Sequence, residues 1–315
     1  MNTFAESSTL IKNEESCFRG PFETHTKWVK FLESKKKNFD KEKFEKIFTE
    51  QRFNKIKAKL ECKDFRYEVD NYTVEGYYLK PRNLPNKKLP VVIYNRGGNA
   101  EYGYVFFGKK LQLISDIAME GYIVIGSQYR GSSSRFIANN GKDEFGGNDI
   151  NDVLKLIAIA NEIPEADTSN IGMVGWSRGA MQSFIASKSI SSLKTLIAIA
   201  GNSDTEKALA WRPRMENVYQ DRIPNFEQNR ASELAARSVS KWLDKIPSAM
   251  PILLLHGDKD KRVNVEQSKS LAAQLEASKH PHKLIIYPNG NHGLIRHREE
   301  MTSEITSWLK HNLSS

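Results

Sequence analysis

Residues 171–181 read IGMVGWSRGAM. The apolar run IGMVG has the character of a short strand. It leads into the G-x-S-x-G pattern Gly175-Trp176-Ser177-Arg178-Gly179, after which Ala180, Met181, Phe184, Ile185 and Ala186 follow at helical spacing. A serine at the tip of a sharp strand-to-helix turn occupies a strained backbone conformation, and glycines two positions to either side let the two arms pass without a Cβ clash. The stretch is therefore expected to be a nucleophile elbow that presents Ser177 to a substrate. An ordinary βα turn could carry the same five residues, but the strand-turn-helix order favours the elbow.

Working outward, apolar runs of strand type recur on both sides of this stretch. FRYEVDNYTVEGYYLKP, from Phe65, alternates like two antiparallel strands joined by a turn near Asp70-Asn71. LPVVIYN (89–95), fenced by Pro85 and Pro90, and YIVIGSQYRG (122–131) precede the elbow, while LKTLIAIAG (193–201), PILLLHGDKD (251–260) and HKLIIYPNG (282–290) follow it. Segments of helical periodicity separate them, around Gly108 to Gly121, in NDINDVLKLIAIANEI, in SKSLAAQLEAS and in HREEMTSEITSWLKHNL. Alternation of this kind implies a mainly parallel sheet covered by helices on both faces. Residues 203–248 contain Trp211, Tyr219, Phe226 and Trp242 with breaks at Pro213, Pro224 and Pro247 and no strand-like run, which suggests a helical cap inserted above the strand ends. The expected organisation is a helical N-terminal extension over 1–63, irregular to about residue 24, followed by a catalytic domain over 64–315.

Composition bounds the function classes. A chain of 315 residues with 39% hydrophobic and 27% charged residues can bury a large core and is globular in character. No apolar run approaches the roughly 20 residues of a membrane span, and the N-terminus lacks a basic and apolar leader pattern, so a cytoplasmic protein without membrane contact is expected. Cys17 and Cys62 are too few for a disulfide framework and lie in no metal-type cluster, so both are expected to be buried, inert thiols. The net charge is +9, and most of it arises between Lys27 and Lys59, where 12 Lys or Arg face 5 Asp or Glu. Trp28, Phe31, Leu32, Phe39, Phe44, Ile47, Phe48, Ile56 and Leu60 recur there at roughly helical intervals, so the lysines fall on the wet face of a helical segment over 25–61. No zinc-finger spacing or aromatic strand supports nucleic-acid binding. The segment could instead serve homo-oligomerisation.

A serine hydroxyl needs a base, and the base needs an orienting carboxylate. In an α/β-hydrolase these follow the serine in the order acid, then His, each on a loop after a strand. His292 stands directly after the last strand in Pro288-Asn289-Gly290-Asn291-His292-Gly293, with His297, in the helix beyond, as its rival. The loop after ILLLHG offers Asp258 and Asp260 as the acid. The oxyanion would be met by the backbone N–H of Arg178 and by a donor from the loop after LPVVIYN, where Gly97-Gly98 permits close backbone approach. No metal or organic cofactor is required, and His280-Pro281-His282 lacks the further ligands of a metal site.

Several motifs together resemble the catalytic domain of the prolyl oligopeptidase family, the dipeptidyl peptidase and acylaminoacyl peptidase group of α/β-hydrolases. They are Tyr129-Arg130-Gly131-Ser132, Gly146-Gly147-Asn148-Asp149, the elbow with Ala180, His256-Gly257-Asp258-Lys259-Asp260-Lys261-Arg262-Val263, and Asn291-His292-Gly293. The resemblance runs from about Glu68 to the C-terminus. It implies Ser177 as nucleophile, Asp260 as acid and His292 as base, with Arg130 and Asp149 fixing loops. Peptidases of this family usually carry a β-propeller ahead of the hydrolase domain, and the roughly 65 residues that precede the core strands here are too few to form one. The residue before the paired glycines is commonly His or Tyr in the family, and Arg96 in this chain excludes a tyrosyl oxyanion donor, which leaves the backbone donor assigned to Gly98. The expected activity is that of a serine hydrolase acting on a small ester or short peptide. Its pocket would draw on Trp176 and on Trp211, Arg212, Arg214, Tyr219 and Trp242 of the cap, with the two arginines able to bind a substrate carboxylate. The alternative is a non-catalytic binding protein on a hydrolase scaffold, a reading that the presence of all three triad residues disfavours.

Overall fold

The computed structural model describes residues 9–82 and 87–313; Pro85 lies outside them. Nine strands form one sheet: β1 (Lys12–Ser16), β2 (Leu60–Val69), β3 (Tyr72–Pro81), β4 (Leu89–Asn95), β5 (Ile123–Ser127), β6 (Ala166–Trp176), β7 (Leu193–Ile199), β8 (Ile252–Gly257) and β9 (His282–Tyr287). Their spatial order is β1-β2-β3-β5-β4-β6-β7-β8-β9, antiparallel through β5 and parallel from there on. The expected hairpin is present, and its turn residues Asp70 and Asn71 have φ of 49° and 64°. Positive φ at both central positions is what the right-handed twist of a two-residue hairpin asks for, and Asp and Asn tolerate it.

The parallel strands are apolar on both faces because both are covered. Val91, Ile93, Ile123, Ile125, Met173 and Leu254 point to one core, while Val92, Val124, Val174, Ile197 and Leu253 point to the other. The α-helices of the described residues are, in chain order, α1 (His25–Lys35), α2 (Lys41–Ile47), α3 (Glu50–Lys59), α4 (Phe107–Lys109), α5 (Ser115–Met119), α6 (Ile150–Ala160), α7 (Arg178–Ser187), α8 (Thr205–Trp211), α9 (Met215–Arg222), α10 (Phe226–Ala236), α11 (Glu266–Ala277) and α12 (Arg298–Asn312). Side chains of α6, α7 and α11 fill the first core, and those of α5 and α12 fill the second. Between β7 and β8, α8 to α10 close a third, smaller core of Leu209, Tyr219, Ile223, Phe226 and Leu234 against Phe145 and Met181. Among the described residues no helix is long and apolar enough to cross a membrane.

The N-terminal region differs from its expected form in three ways. Its helical part is three helices rather than one continuous segment, because Thr24, Asp40 and Thr49 each accept a backbone N–H at a new N-cap. The apolar faces of these helices, with Trp28, Val29, Phe44, Phe53 and Ile56, are not peripheral but part of the second core, around Phe107. The stretch before residue 24 is not wholly irregular, since β1 pairs with β2, and β2 itself begins at Leu60.

The expectation of two inert thiols is overturned: Cys17 and Cys62 form a disulfide. Its cause is the β1–β2 register, in which Ser16 faces Lys63 and the Cys17 N–H donates to the Cys62 carbonyl at 2.9 Å. The two cysteines are 45 residues apart, so the bond closes a long loop of the unfolded chain. Protein purified without reductant should titrate no free thiol under denaturing conditions. Cys62→Ser should lower unfolding stability by about 3–4 kcal/mol in denaturant titrations, and Cys17→Ser on that background should add little.

Candidate active site

The register brings the ends of the parallel strands level. Asn95 lies beside Gly175, Trp176 beside Ile199, Ile199 beside Leu255, and Gly257 beside Tyr287. At β4 the chain order reverses, with β5 on one side and β6 on the other, and the crevice beyond such a point is where open α/β sheets bind ligands. The loops after β4, β6, β8 and β9 meet there. Ser177, His292, Gly97, Gly98 and Arg178 line a common cavity of about 620 Å3.

Ser177 has φ 57° and ψ −119°, a sparsely populated conformation that costs on the order of 1–3 kcal/mol and is held by its surroundings. Its N–H donates to the Ile199 carbonyl at 2.7 Å, and α7 starts at once behind it, nearly all of it buried. The flanking glycines are required by close approach: a Cβ on Gly179 would sit 1.9 Å from the Asn95 carbonyl oxygen, and one on Gly175 would sit 2.3 Å from that of Gly179. The elbow expected from the G-x-S-x-G pattern is thus the geometry observed.

His292 and Asp260 are brought together, with Nδ1 2.7 Å from Oδ2. Asp260 is buried, and its other oxygen accepts the N–H groups of Arg262 at 2.7 Å and Val263 at 3.0 Å. Burial alone would raise its pKa, but hydrogen bonds from His256 and His292 and the backbone donors outweigh this and hold the carboxyl well below its usual range. His256 lies at the end of β8, inside its apolar run. It is fully buried with Nε2 3.2 Å from Asp260 Oδ2, and Nδ1 is 2.7 Å from the Ser268 hydroxyl, so it acts as a second brace on the acid. His297 is elsewhere, between the Pro288 carbonyl and Glu300. Asp258 is exposed.

The loop after β4, expected to meet the oxyanion, is tied down by buried charged side chains. Arg96 is buried, and its guanidinium donates to the carbonyls of Gly97 at 3.0 Å, Ala100 at 2.9 Å and Gln128 at 2.8 Å while stacking on Tyr129. Burial lowers its pKa to about 10. Arg96 therefore organises the loop by binding its carbonyls, where a tyrosine would offer a hydroxyl. Gly98 has φ 82°, and a Cβ there would lie 2.0 Å from the Tyr102 carbonyl oxygen. The Arg178 side chain turns inward to donate to the Gly98 carbonyl at 3.0 Å and to Asp143 at 2.5 Å, and it also pairs with Asp149. Burial would lower the pKa of this guanidinium, and the two carboxylates more than reverse that. Asp143 also accepts the Ala100 N–H at 2.6 Å. Arg130 similarly joins Asp152 to the hairpin residue Asp70.

Of the expected pocket residues, Trp176, Arg212, Arg214 and Tyr219 line the cavity. Trp211 and Trp242 do not. Trp211 ends α8 and is 51% exposed, whereas Ala208, one turn earlier, faces the cavity. Trp242 is buried in the first core with its Nε1 donating to the Ala235 carbonyl.

The model of the prolyl oligopeptidase family matches residues 91–315. The chain belongs to the prolyl oligopeptidase family. Among curated relatives in this family of serine peptidases, it is 25% identical over 264 residues to the uncharacterized peptidase YuxL of Bacillus subtilis, covering 78% of this chain and 38% of that protein. It is 28% identical over 261 residues to mouse dipeptidyl peptidase 8, covering 80% of this chain and 29% of the relative. The chain thus spans only about a third of the length of these relatives. The fold is also that of solved family structures. An acylaminoacyl peptidase bound to Z-Gly-Gly-Phe-chloromethyl ketone superposes with a TM-score of 0.68 at 22% identity, over 82% of this chain and 42% of the other. The uncomplexed acylaminoacyl peptidase of Pyrococcus horikoshii gives 0.67 at 24% identity over the same shares.

Two outcomes follow from this geometry. Arg178→Met strands two buried carboxylates and should cost about 3–5 kcal/mol in chemical denaturation, with Asp143→Asn on the same chain recovering part of the loss. For Asp260 the folded pKa lies below the unfolded one. Its contribution to stability is therefore complete above about pH 4 and is lost as pH falls towards the lowered folded value. Asp260→Asn should flatten that acid limb in unfolding free energies measured between about pH 5 and pH 2.

Proposed function

We propose that the chain is a serine hydrolase that cleaves a small ester or short peptide or amide bond through an acyl-enzyme. The observation that carries this reading is the 2.7 Å contact between Asp260 and His292, with His292 lining the same cavity as Ser177 on its strained elbow. In the proposed reaction His292 Nε2 takes the proton of Ser177 Oγ as the oxygen attacks the substrate carbonyl carbon. Asp260 holds Nδ1 protonated and stabilises the imidazolium. The backbone N–H groups of Gly98 and Arg178 would receive the oxyanion. Collapse of the tetrahedral adduct returns the proton from His292 to the leaving alcohol or amine. Water, deprotonated by the same imidazole, then releases the acyl group and regenerates the serine hydroxyl.

Relatives named as peptidases support amide cleavage, and a cavity of about 620 Å3 suits a small or short substrate. The Cys17–Cys62 bond supports an oxidising compartment over the expected cytoplasm.

Rates on p-nitrophenyl esters of increasing acyl length and on aminoacyl p-nitroanilides, for the wild type and for Ser177→Ala, test the reading. Turnover on at least one panel should fall by about 10⁴-fold or more in Ser177→Ala. Folded wild-type protein with no Ser177-dependent turnover on either panel would return the chain to the binding-protein alternative.

A further inference from the structure

The charged side chains lining the cavity are all basic among the described residues, although Ser177, His292 and the oxyanion donors need no such field. Three of these cations are already committed: Arg96 and Lys109 to loop carbonyls, and Arg178 to Asp143 and Asp149. Arg212, Arg214 and Arg262 are not. Among the described residues none of the three forms an ion pair, and the contrast with the paired Arg230, Arg237 and Arg130 is plain. The Nε of Arg212 is shut off from solvent and has no hydrogen-bond partner, which leaves a buried donor pointing at nothing. Burial, followed by the nearby Arg214 and Arg262 charges, lowers the Arg212 pKa, as expected where like charges converge. Arg262 is steadied by the Tyr102 hydroxyl at 2.7 Å and stands two residues from Asp260, so the cluster abuts the reacting groups. A bound anion would satisfy the Arg212 donor and relieve the mutual repulsion together.

We propose that Arg212, Arg214 and Arg262 form a subsite for a carboxylate carried by the substrate, so that the preferred ester or amide is anionic close to its scissile carbonyl. This rests on the serine-hydrolase reading above. The carboxylate can belong to the acyl half, as in an acidic residue preceding the cleaved bond, or to the leaving half, as in a free peptide C-terminus.

The test compares p-nitrophenyl butyrate with p-nitrophenyl hemisuccinate, whose acyl half bears a carboxylate, and with 3-carboxy-4-nitrophenyl butyrate, whose leaving half does. Ser177→Ala serves as the background. One of the two anionic esters should exceed the neutral ester in kcat/KM by about tenfold or more, and which one identifies the half. Arg212→Gln and Arg214→Gln should each reduce that anionic-to-neutral ratio by about ten- to a hundredfold, and added salt should reduce it as well. Equal kcat/KM for neutral and anionic esters, or a ratio untouched by both substitutions, overturns the subsite while leaving the hydrolase reading standing. Calorimetric titration of glutarate, with glutaramide as control, into Ser177→Ala reads the cluster without turnover. Binding of glutarate that is lost in Arg212→Gln supports the subsite even if no ester is hydrolysed. Titrations in which glutarate and glutaramide behave alike overturn it.

Discussion

The buried guanidinium of Arg178 is the joint on which the candidate-site end of the molecule depends. It sits one residue behind the elbow serine, at the first position of α7, yet its contacts are with other segments: the Gly98 carbonyl of the oxyanion loop, Asp143 and Asp149 of the loop before α6, and the faces of Tyr129 and Phe145. A cation in such a place is tolerated only because two carboxylates neutralise it. Those carboxylates are in turn fixed by the N–H groups of Ala100, Phe145 and Gly146. Phe145 belongs to the cap core and its carbonyl is bonded to Arg237, so the electrostatic joint also reaches the cap. The residue that follows Ser177 thus sets the distances between three loops that are remote in sequence.

The neighbouring Arg96 works by a similar principle with opposite partners. Carbonyl oxygens of Gly97, Ala100, Tyr102 and Gln128 converge on a single planar donor. Arginine has enough N–H groups in a fixed fork to hold a whole turn. The two arginines therefore divide the task, one gathering the loop's acceptors and the other anchoring the loop to the elbow.

What the sequence made legible is what depends on local chemistry. The serine declared itself through glycines at positions where a Cβ would have no room, and the hairpin through Asp70-Asn71. The acid and base followed from strand order, with the choice of Asp260 over Asp258 supplied by family pattern. The strand LPVVIYN coincides with β4 because a doubly covered strand is apolar over most of its length. What stayed hidden depends on partners far along the chain. His256 sits in the apolar run of β8, and nothing local announces its partners Asp260, Ser268 and the Val263 carbonyl. Asp143 carries no motif of its own. The disulfide hung on the register of a five-residue strand with four exposed positions, which has no apolar alternation to announce it. Lys110 is buried against Asp64 at the π-type turn between α4 and α5, where helical periodicity has no means to predict a lysine.

The N-terminal helices are an extension by sequence, and their packing gives them another meaning. Trp28, Phe44, Phe53 and Ile56 share one apolar body with Leu79, Val92, Val124 and Leu253 of the sheet. One face of the central sheet is therefore walled in part by residues 17–59, stitched to β2 at Cys62. A fragment trimmed to the family-matched region would bare this face as a broad oily surface beside the unpaired edge of β5. It would be an adhesive particle prone to self-association, so the early helices belong to the folding unit as fully as the strands they cover.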